Sequence, residues 1–272
     1  MNRSRGFTVI ELLVSVAVIA VLISTLLPAL SGARESARTV HGASNLRQLL
    51  IAWRAYANDS DGFAMPLAYT DLADVGTGDS IFWWGGAGNV SGSIDFGRGL
   101  IAPYIDAGLR EGGVFQCPSE TAGSYIPQGA TGELSTTYGY NGYYLCPPKT
   151  PGWSHTIGGQ RWKRVSHVQH PSELFVFGDT LLPGSGLPRS TSLLDPPELY
   201  EGDGEWRRNE SPTSAFRHHA RGSSGAMNAA ASDGSVRTHH AAPGWIIHER
   251  FAIGSVGIQN GPHYVPDWER WN

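Results

Sequence analysis

Between Phe7 and Leu30 the chain is apolar almost without interruption, and the only charge in those 24 residues is Glu11. As a helix rising about 1.5 Å per residue, the run reaches roughly 36 Å, enough to cross the hydrocarbon core of a bilayer. The rest of the chain must therefore be arranged around a membrane-length helix. An ionised carboxylate is costly inside hydrocarbon and, where it occurs, has a partner and a role. Glu11 thus separates a plain anchor from a segment built to assemble. Arg3 and Arg5 precede the run, which predicts a cytoplasmic N-terminus, although Arg34 and Arg38 on the far side weaken the asymmetry. A secretory signal peptide, with Ser31-Gly32-Ala33 as a small-residue cleavage site, is the competing reading. The length of the run and the presence of Glu11 argue against it.

Arg5-Gly6-Phe7-Thr8-x-x-Glu11, behind a short basic leader, resembles the cleavage site of type IV prepilins and type II secretion pseudopilins. The resemblance implies cleavage after Gly6 by a membrane prepilin peptidase/methyltransferase and methylation of Phe7 as the new N-terminus. It makes Glu11 the fifth residue of the mature chain and Pro28 the helix-kinking proline many pilins carry. It also implies other pilin or pseudopilin subunits and an inner-membrane assembly platform as partners. In that setting Glu11 is expected to pair with the Phe7 amine of a neighbouring subunit and fix the axial register, since a buried ion pair specifies geometry better than it adds stability.

Past Pro28, residues Ser31 to Ala57 read as an amphipathic continuation of the helix. Ala43, Leu46, Leu50, Trp53 and Ala57 recur at three- and four-residue steps, while Asn45, Gln48 and Arg54 fall off that stripe. Asn58-Asp59-Ser60-Asp61-Gly62 stops it. The chain divides accordingly into a leader (1–6), a transmembrane and assembly helix (7–30), its amphipathic extension (31–58) and a globular periplasmic body (59–272). The fold class is α+β: one long helix packed on an antiparallel sheet, with a loop-rich remainder. The net charge of −4 implies no general affinity for nucleic acid.

Several segments are similar to pseudopilin-like proteins of planctomycete- and verrucomicrobium-type genomes. They are Asn45-Leu46-Arg47-Gln48-Leu49, Ala55 to Gly62, Cys117-Pro118-Ser119-Glu120, Thr137-Tyr138-Gly139-Tyr140-Asn141, and His170-Pro171-Ser172-Glu173 leading into Leu174 to Asp179. That family often has Arg-His, nine residues, then Asp-Gly. Here Arg217-His218-His219 lies farther from Asp233-Gly234, so the resemblance assigns no position to His219. Strands are predicted at Gly113–Gln116, Thr136–Leu145, Glu173–Gly178, Gly225–Ala231 and Ser235–His239, with Asp233-Gly234 as a hairpin turn. Leu182 to Asn209, rich in Pro, Gly and Ser, reads as a surface excursion.

Cys117 and Cys146 are the only cysteines. In an oxidising periplasm they are expected to form a disulfide, constraining the unfolded chain by roughly 3 kcal/mol in the entropy model. Asp59 and Asp61 are oxygen donors of the kind calcium takes, but they fit no EF-hand register, and a helix stop with Asx turns is the preferred reading. Two histidine doublets, His218-His219 and His239-His240, would suit zinc if strand pairing brought them together. Neighbouring residues on a strand face opposite ways, so a polar surface is expected instead. Nine tryptophans could fill the core or make a glycan-binding platform. No nucleophile elbow, His-Glu-x-x-His or Walker sequence occurs. The chain reads as a structural filament subunit without catalysis or cofactor, against the alternative of a tethered or filament-tip binding module using its tryptophan-rich body.

Overall fold

The computed structural model describes residues 8–70, 75–76, 79–87, 94–105, 113–121, 123–127, 136–150, 157–201, 203–221, 224–267 and 270. Its first element is a single helix, α1 (Val9–Asp59), of 51 residues, about 76 Å long at 1.5 Å per residue. Thr8 starts it as N-cap, and α1 runs through Pro28 without a break. The segment Asn58–Gly62 ends it as expected. Gly62 N donates back to the Ala57 carbonyl at 2.8 Å, and Asp61 and Gly62 adopt positive φ.

The helix has two unlike halves. From Val9 to Leu30 its apolar side chains are exposed, Val9 by 79% and Leu26 by 65%. From Gly42 onward one face is buried, through Leu46, Leu49, Leu50, Trp53 and Ala57. Asn45, expected off the apolar stripe, is on the buried face, where its amide donates to the Gln116 carbonyl at 3.2 Å. A polar side chain can sit on such a face when it finds a fixed acceptor.

The sixteen described strands are β1 (Ala68–Tyr69), β2 (Ser80–Phe82), β3 (Gly86–Ala87), β4 (Ile94–Asp95), β5 (Tyr138–Tyr140), β6 (Phe175–Asp179), β7 (Leu181–Leu182) and β8 (Arg189–Ser190), followed by β9 (Glu198–Tyr200), β10 (Trp206–Arg208), β11 (Ser214–Ala215), β12 (His218–Arg221), β13 (Ser224–Ala231), β14 (Val236–His240), β15 (Ile246–His248) and β16 (Ile253–Gly254). The principal sheet is antiparallel and holds β5, β6, β12, β13 and β14. Strand β13 is its spine. It pairs with β14 over Ala226–Ala230, and with β12 and β6 at its two ends. The second half of α1 packs against β6, β12, β13 and β14. This is the α+β arrangement of long helix on antiparallel sheet.

Aromatic residues fill the space between helix and sheet. Trp53 Nε1 donates to the Tyr140 hydroxyl at 3.1 Å, and Phe177 lies 5.1 Å from Tyr140 and 5.2 Å from Trp83, ring centre to ring centre. Tyr138 and Tyr140 point the same way because they are two residues apart on a strand. Gly139 between them is tightly enclosed: a Cβ there would lie 2.4 Å from Thr180 Cγ2 and 2.5 Å from the Leu193 backbone. Asn141 then closes the motif, its buried amide donating to the Phe175 and Tyr264 carbonyls.

Three expectations need correction. Gly113–Gln116 is a turn, closed by Gln116 N on the Gly113 carbonyl. The predicted strand Thr136–Leu145 is extended only over β5, and Gly142–Leu145 forms a helical turn. Leu182 to Asn209 is no mere surface excursion. Leu194 is fully buried in the core, and its N–H donates to the Tyr140 carbonyl, extending the sheet edge.

Candidate functional site

Two places hold the residues that the sequence singles out. The first is the start of α1. Gly6 and Phe7 lie outside the described residues. Glu11 does not wait for a partner from another chain: its carboxylate accepts from the Thr8 backbone N–H at 2.9 Å and from the Thr8 hydroxyl at 2.8 Å. Thr8 Oγ1 in turn accepts from Glu11 N, completing a capping box. Two of the N–H groups that a helix start leaves unpaired are thus satisfied by one Thr–Glu pair. The carboxylate also lies at the positive end of the helix dipole, which favours its charge.

The second place is where α1 meets the sheet, and its centre is His218. This histidine, expected at a polar surface, is fully buried, whereas His219 is exposed with φ near 51°. His218 Nε2 lies 3.0 Å from Asp179 Oδ2 and 3.6 Å from Cys117 Sγ. Its Nδ1 lies 3.1 Å from both Thr39 Oγ1 and Ser119 Oγ. Asn228 is fixed beside it, with its backbone N–H on Asp179 Oδ2 and its amide on the Thr39 carbonyl. The register brings this about. His218 and His240 flank Ala226 on opposite sides of β13, so the two doublets are separated by a strand.

Glycine at position 42 lets α1 come down onto this cluster. A Cβ there would lie 3.3 Å from Asn228 Nδ2 and 3.5 Å from His218 Cε1. Around the cluster, Glu120 and Arg217 form a two-pronged ion pair, both contacts at 2.7 Å, with the Glu120 side chain only 2% exposed. Burial pushes the Glu120 carboxyl above its usual range, and the Arg217 guanidinium draws it partly back. Burial disfavours a charge on His218, but the bond and charge of Asp179, with Glu35 and Glu120 behind, hold its pKa above the ordinary histidine value. Burial, with the charges of Asp179 and Glu120, pushes the Cys117 thiol well up.

The disulfide expected between Cys117 and Cys146 is not formed, and both are free and buried. Each sulfur has its own surroundings. Cys117 lies beside Tyr138 and His218, and Cys146 beside Tyr140 and Lys149. Tyr138 and Tyr140 are one pleat apart on β5, about 6.6 Å. Asp59 Oδ2 accepts from the Tyr104 hydroxyl at 3.0 Å, and the Asp61 carbonyl accepts from Arg164. Among the tryptophans, Trp53, Trp83 and Trp84 are buried and Trp162, Trp206 and Trp245 half-buried, while Trp153, Trp268 and Trp271 lie outside the described residues.

Sequence reasoning missed Asp179, Asn228, Glu35 and Thr39 as members of the His218 cluster. The available signal was local wording: Cys117-Pro118-Ser119-Glu120, Gly178-Asp179 and Arg217-His218 all stand out, and all three converge here.

Residues 1–27 match the family model of the prokaryotic N-terminal methylation motif. No curated protein and no solved structure matches the chain. The motif, followed by a long apolar helix, fits a protein of the prepilin/pseudopilin type. It supports a precursor that prepilin peptidase processes, anchored in a membrane by that helix.

Proposed function

We propose that the mature protein is a structural subunit of a type II secretion pseudopilus or a type IV pilus-like filament. The observation that carries this reading is the asymmetry of α1. Its first half exposes an apolar surface from Val9 to Leu30 in which Glu11 is the one charge, while its second half is built into the body. Such a surface requires either lipid or other helices of the same kind. In the membrane the first half spans the bilayer, with the N-terminus cytoplasmic and the body in the periplasm. In the filament the same surface packs against neighbouring subunits drawn out by the inner-membrane assembly platform. The protein works mechanically, as a prepilin peptidase substrate and building block, and not as a catalyst.

The test is N-terminal mass spectrometry of the chain from cells, with imaging of filaments with and without it. A chain beginning at methylated Phe7, together with filaments lost on deletion, supports the reading. A chain beginning at Arg34 would show a cleaved signal peptide and overturn it.

A further inference from the structure

We propose that Cys117, Asp179 and His218 form a buried site for one divalent transition-metal ion of the zinc type, placed where α1 meets the sheet. The ligand atoms of all three lie within 4.8 Å of one another. Sγ to Nε2 is 3.6 Å and Nε2 to Oδ2 is 3.0 Å. Zinc bonds of about 2.3 Å to sulfur and 2.0–2.1 Å to nitrogen or oxygen, at tetrahedral angles, set ligands roughly 3.3–3.6 Å apart. The sulfur–nitrogen spacing already meets that, while the nitrogen–oxygen spacing must widen by a few tenths of an ångström and the sulfur–oxygen spacing, within 4.8 Å, settles on the ion.

The hydrogen-bond directions favour a cation. Thr39 Oγ1 already donates to the Glu35 carbonyl, and Ser119 Oγ to the Glu35 carboxylate. With both hydroxyl protons directed at Glu35, both oxygens accept from His218 and Nδ1 carries the proton. That leaves Nε2 with Asp179 Oδ2, Cys117 Sγ and the Asn228 amide nitrogen, the last at 3.2 Å, around it. A proton on Nε2 bonds Asp179 Oδ2, a bare Nε2 accepts from the Asn228 amide, and a metal would take the lone pair in place of either. The two hydroxyls hold the ring as the outer partners of metal-bound histidines do. Asp179 supplies a second, independent sign. It is 1% exposed, and its Oδ1 has no hydrogen-bond partner among the described residues. A buried oxygen without a partner is costly.

The charges balance in both states. With Nε2 protonated and no metal, an imidazolium and a carboxylate cancel beside a neutral thiol. With metal, a thiolate and a carboxylate cancel the two positive charges beside a neutral imidazole. The ion displaces two protons, one from sulfur and one from Nε2, and the buried site stays neutral, as burial demands. Thiolate and imidazole ligands select zinc over calcium or magnesium. Three protein ligands leave one tetrahedral position for a water molecule. The ion would tie the 117–120 loop, β6 and β12 together directly beneath α1. This inference is independent of the filament reading.

The experiment uses the full chain in detergent, stripped with a chelator and titrated with Co²⁺ as probe. The expected result is one ion per chain and a thiolate-to-cobalt charge-transfer band. Cys117→Ser abolishes the band, Cys146→Ser keeps it, and Ser119→Ala weakens binding about 10- to 100-fold. A folded chain, judged by circular dichroism, that shows no band overturns the proposal, as does a band that follows Cys146. Should Cys117→Ser not fold, alkylation of the unmutated chain decides. Zn²⁺ must slow labelling of Cys117 relative to chelator, and equal labelling overturns the site.

Discussion

Thr8 and Glu11 close a reciprocal cap on the first turn of α1, with the Glu11 carboxylate 2.9 Å from the Thr8 N–H. Thr8 lies on the mature side of the Gly6–Phe7 bond, so the cap survives cleavage there. Glu11 thereby has one role within its own chain, and the proposed pairing with a neighbouring Phe7 amine would add a second to a carboxylate already held in place. Two substitutions separate the roles. Glu11→Ala leaves membrane insertion intact and impairs filament assembly. Glu11→Gln keeps an acceptor for Thr8 but removes the charge. If register depends on charge pairing, both variants insert normally by membrane fractionation and both lose filaments by imaging. Full assembly by Glu11→Gln would assign the residue to capping alone.

A second prediction concerns the tight strand β5. Gly139→Ala drives a methyl group into Thr180 and into the Leu193 backbone. Backbone cannot move aside as a flexible side chain can, so overpacking costs about 1–3 kcal/mol or more. The thermal unfolding midpoint of the body falls accordingly. An unchanged midpoint would mean that the 189–194 segment does not press on β5.

The Glu120–Arg217 pair gives a third. Removing one partner of a buried ion pair strands the other charge and costs about 3–5 kcal/mol, whereas replacing both is far milder. Arg217→Met should therefore destabilise the body strongly, and adding Glu120→Leu should restore most of the loss. Denaturant unfolding of the two single variants and the double variant measures the coupling. Additive effects would show that the pair is not a unit.

The long helix was legible because its two halves follow different simple rules, an unbroken apolar run and then a three-and-four spacing. Strands β6, β13 and β14 were legible because each is a short continuous run next to turn residues. Asn45 was misplaced because its partner, the Gln116 carbonyl, is 71 residues away. The same holds for Leu194, which lies in Pro- and Gly-rich sequence but docks on Tyr140. The opposite-face rule for neighbouring strand residues did not carry over to His218 and His219, because His219 has φ near 51° where the ladder is irregular and both rings reach the Thr39 hydroxyl, at 3.1 and 3.4 Å. What it could not show was that the inward face leads to Asp179 and Cys117, which come from 39 and 101 positions away. Local pattern proposes a face, and long-range register decides whether the residue takes it and what waits there.

A fourth prediction uses the other histidine doublet. His239 lies against Phe175, 4.8 Å between ring centres, with His263 at 5.9 Å. Burial, with His263, Arg237 and His240 nearby, lowers its pKa to about 4, against about 6.5 in the unfolded chain. The folded state therefore binds its proton less readily than the unfolded state. Its stabilising effect is complete above pH of about 6.5 and is lost as pH falls toward about 4, where the unfolded chain holds the extra proton. At about 1.4 kcal/mol per unit, the loss is at most roughly 3.5 kcal/mol, less where solvent reaches the ring. Carboxylates titrate in the same window, so the comparison must be between chains. His239→Phe keeps the stacking surface and cannot be protonated. The difference in unfolding free energy between the variant and the unmutated chain should grow as pH drops from about 6.5 to about 4, in the variant's favour. A difference that stays constant with pH would mean that His239 is protonated as easily in the folded body as in the unfolded chain.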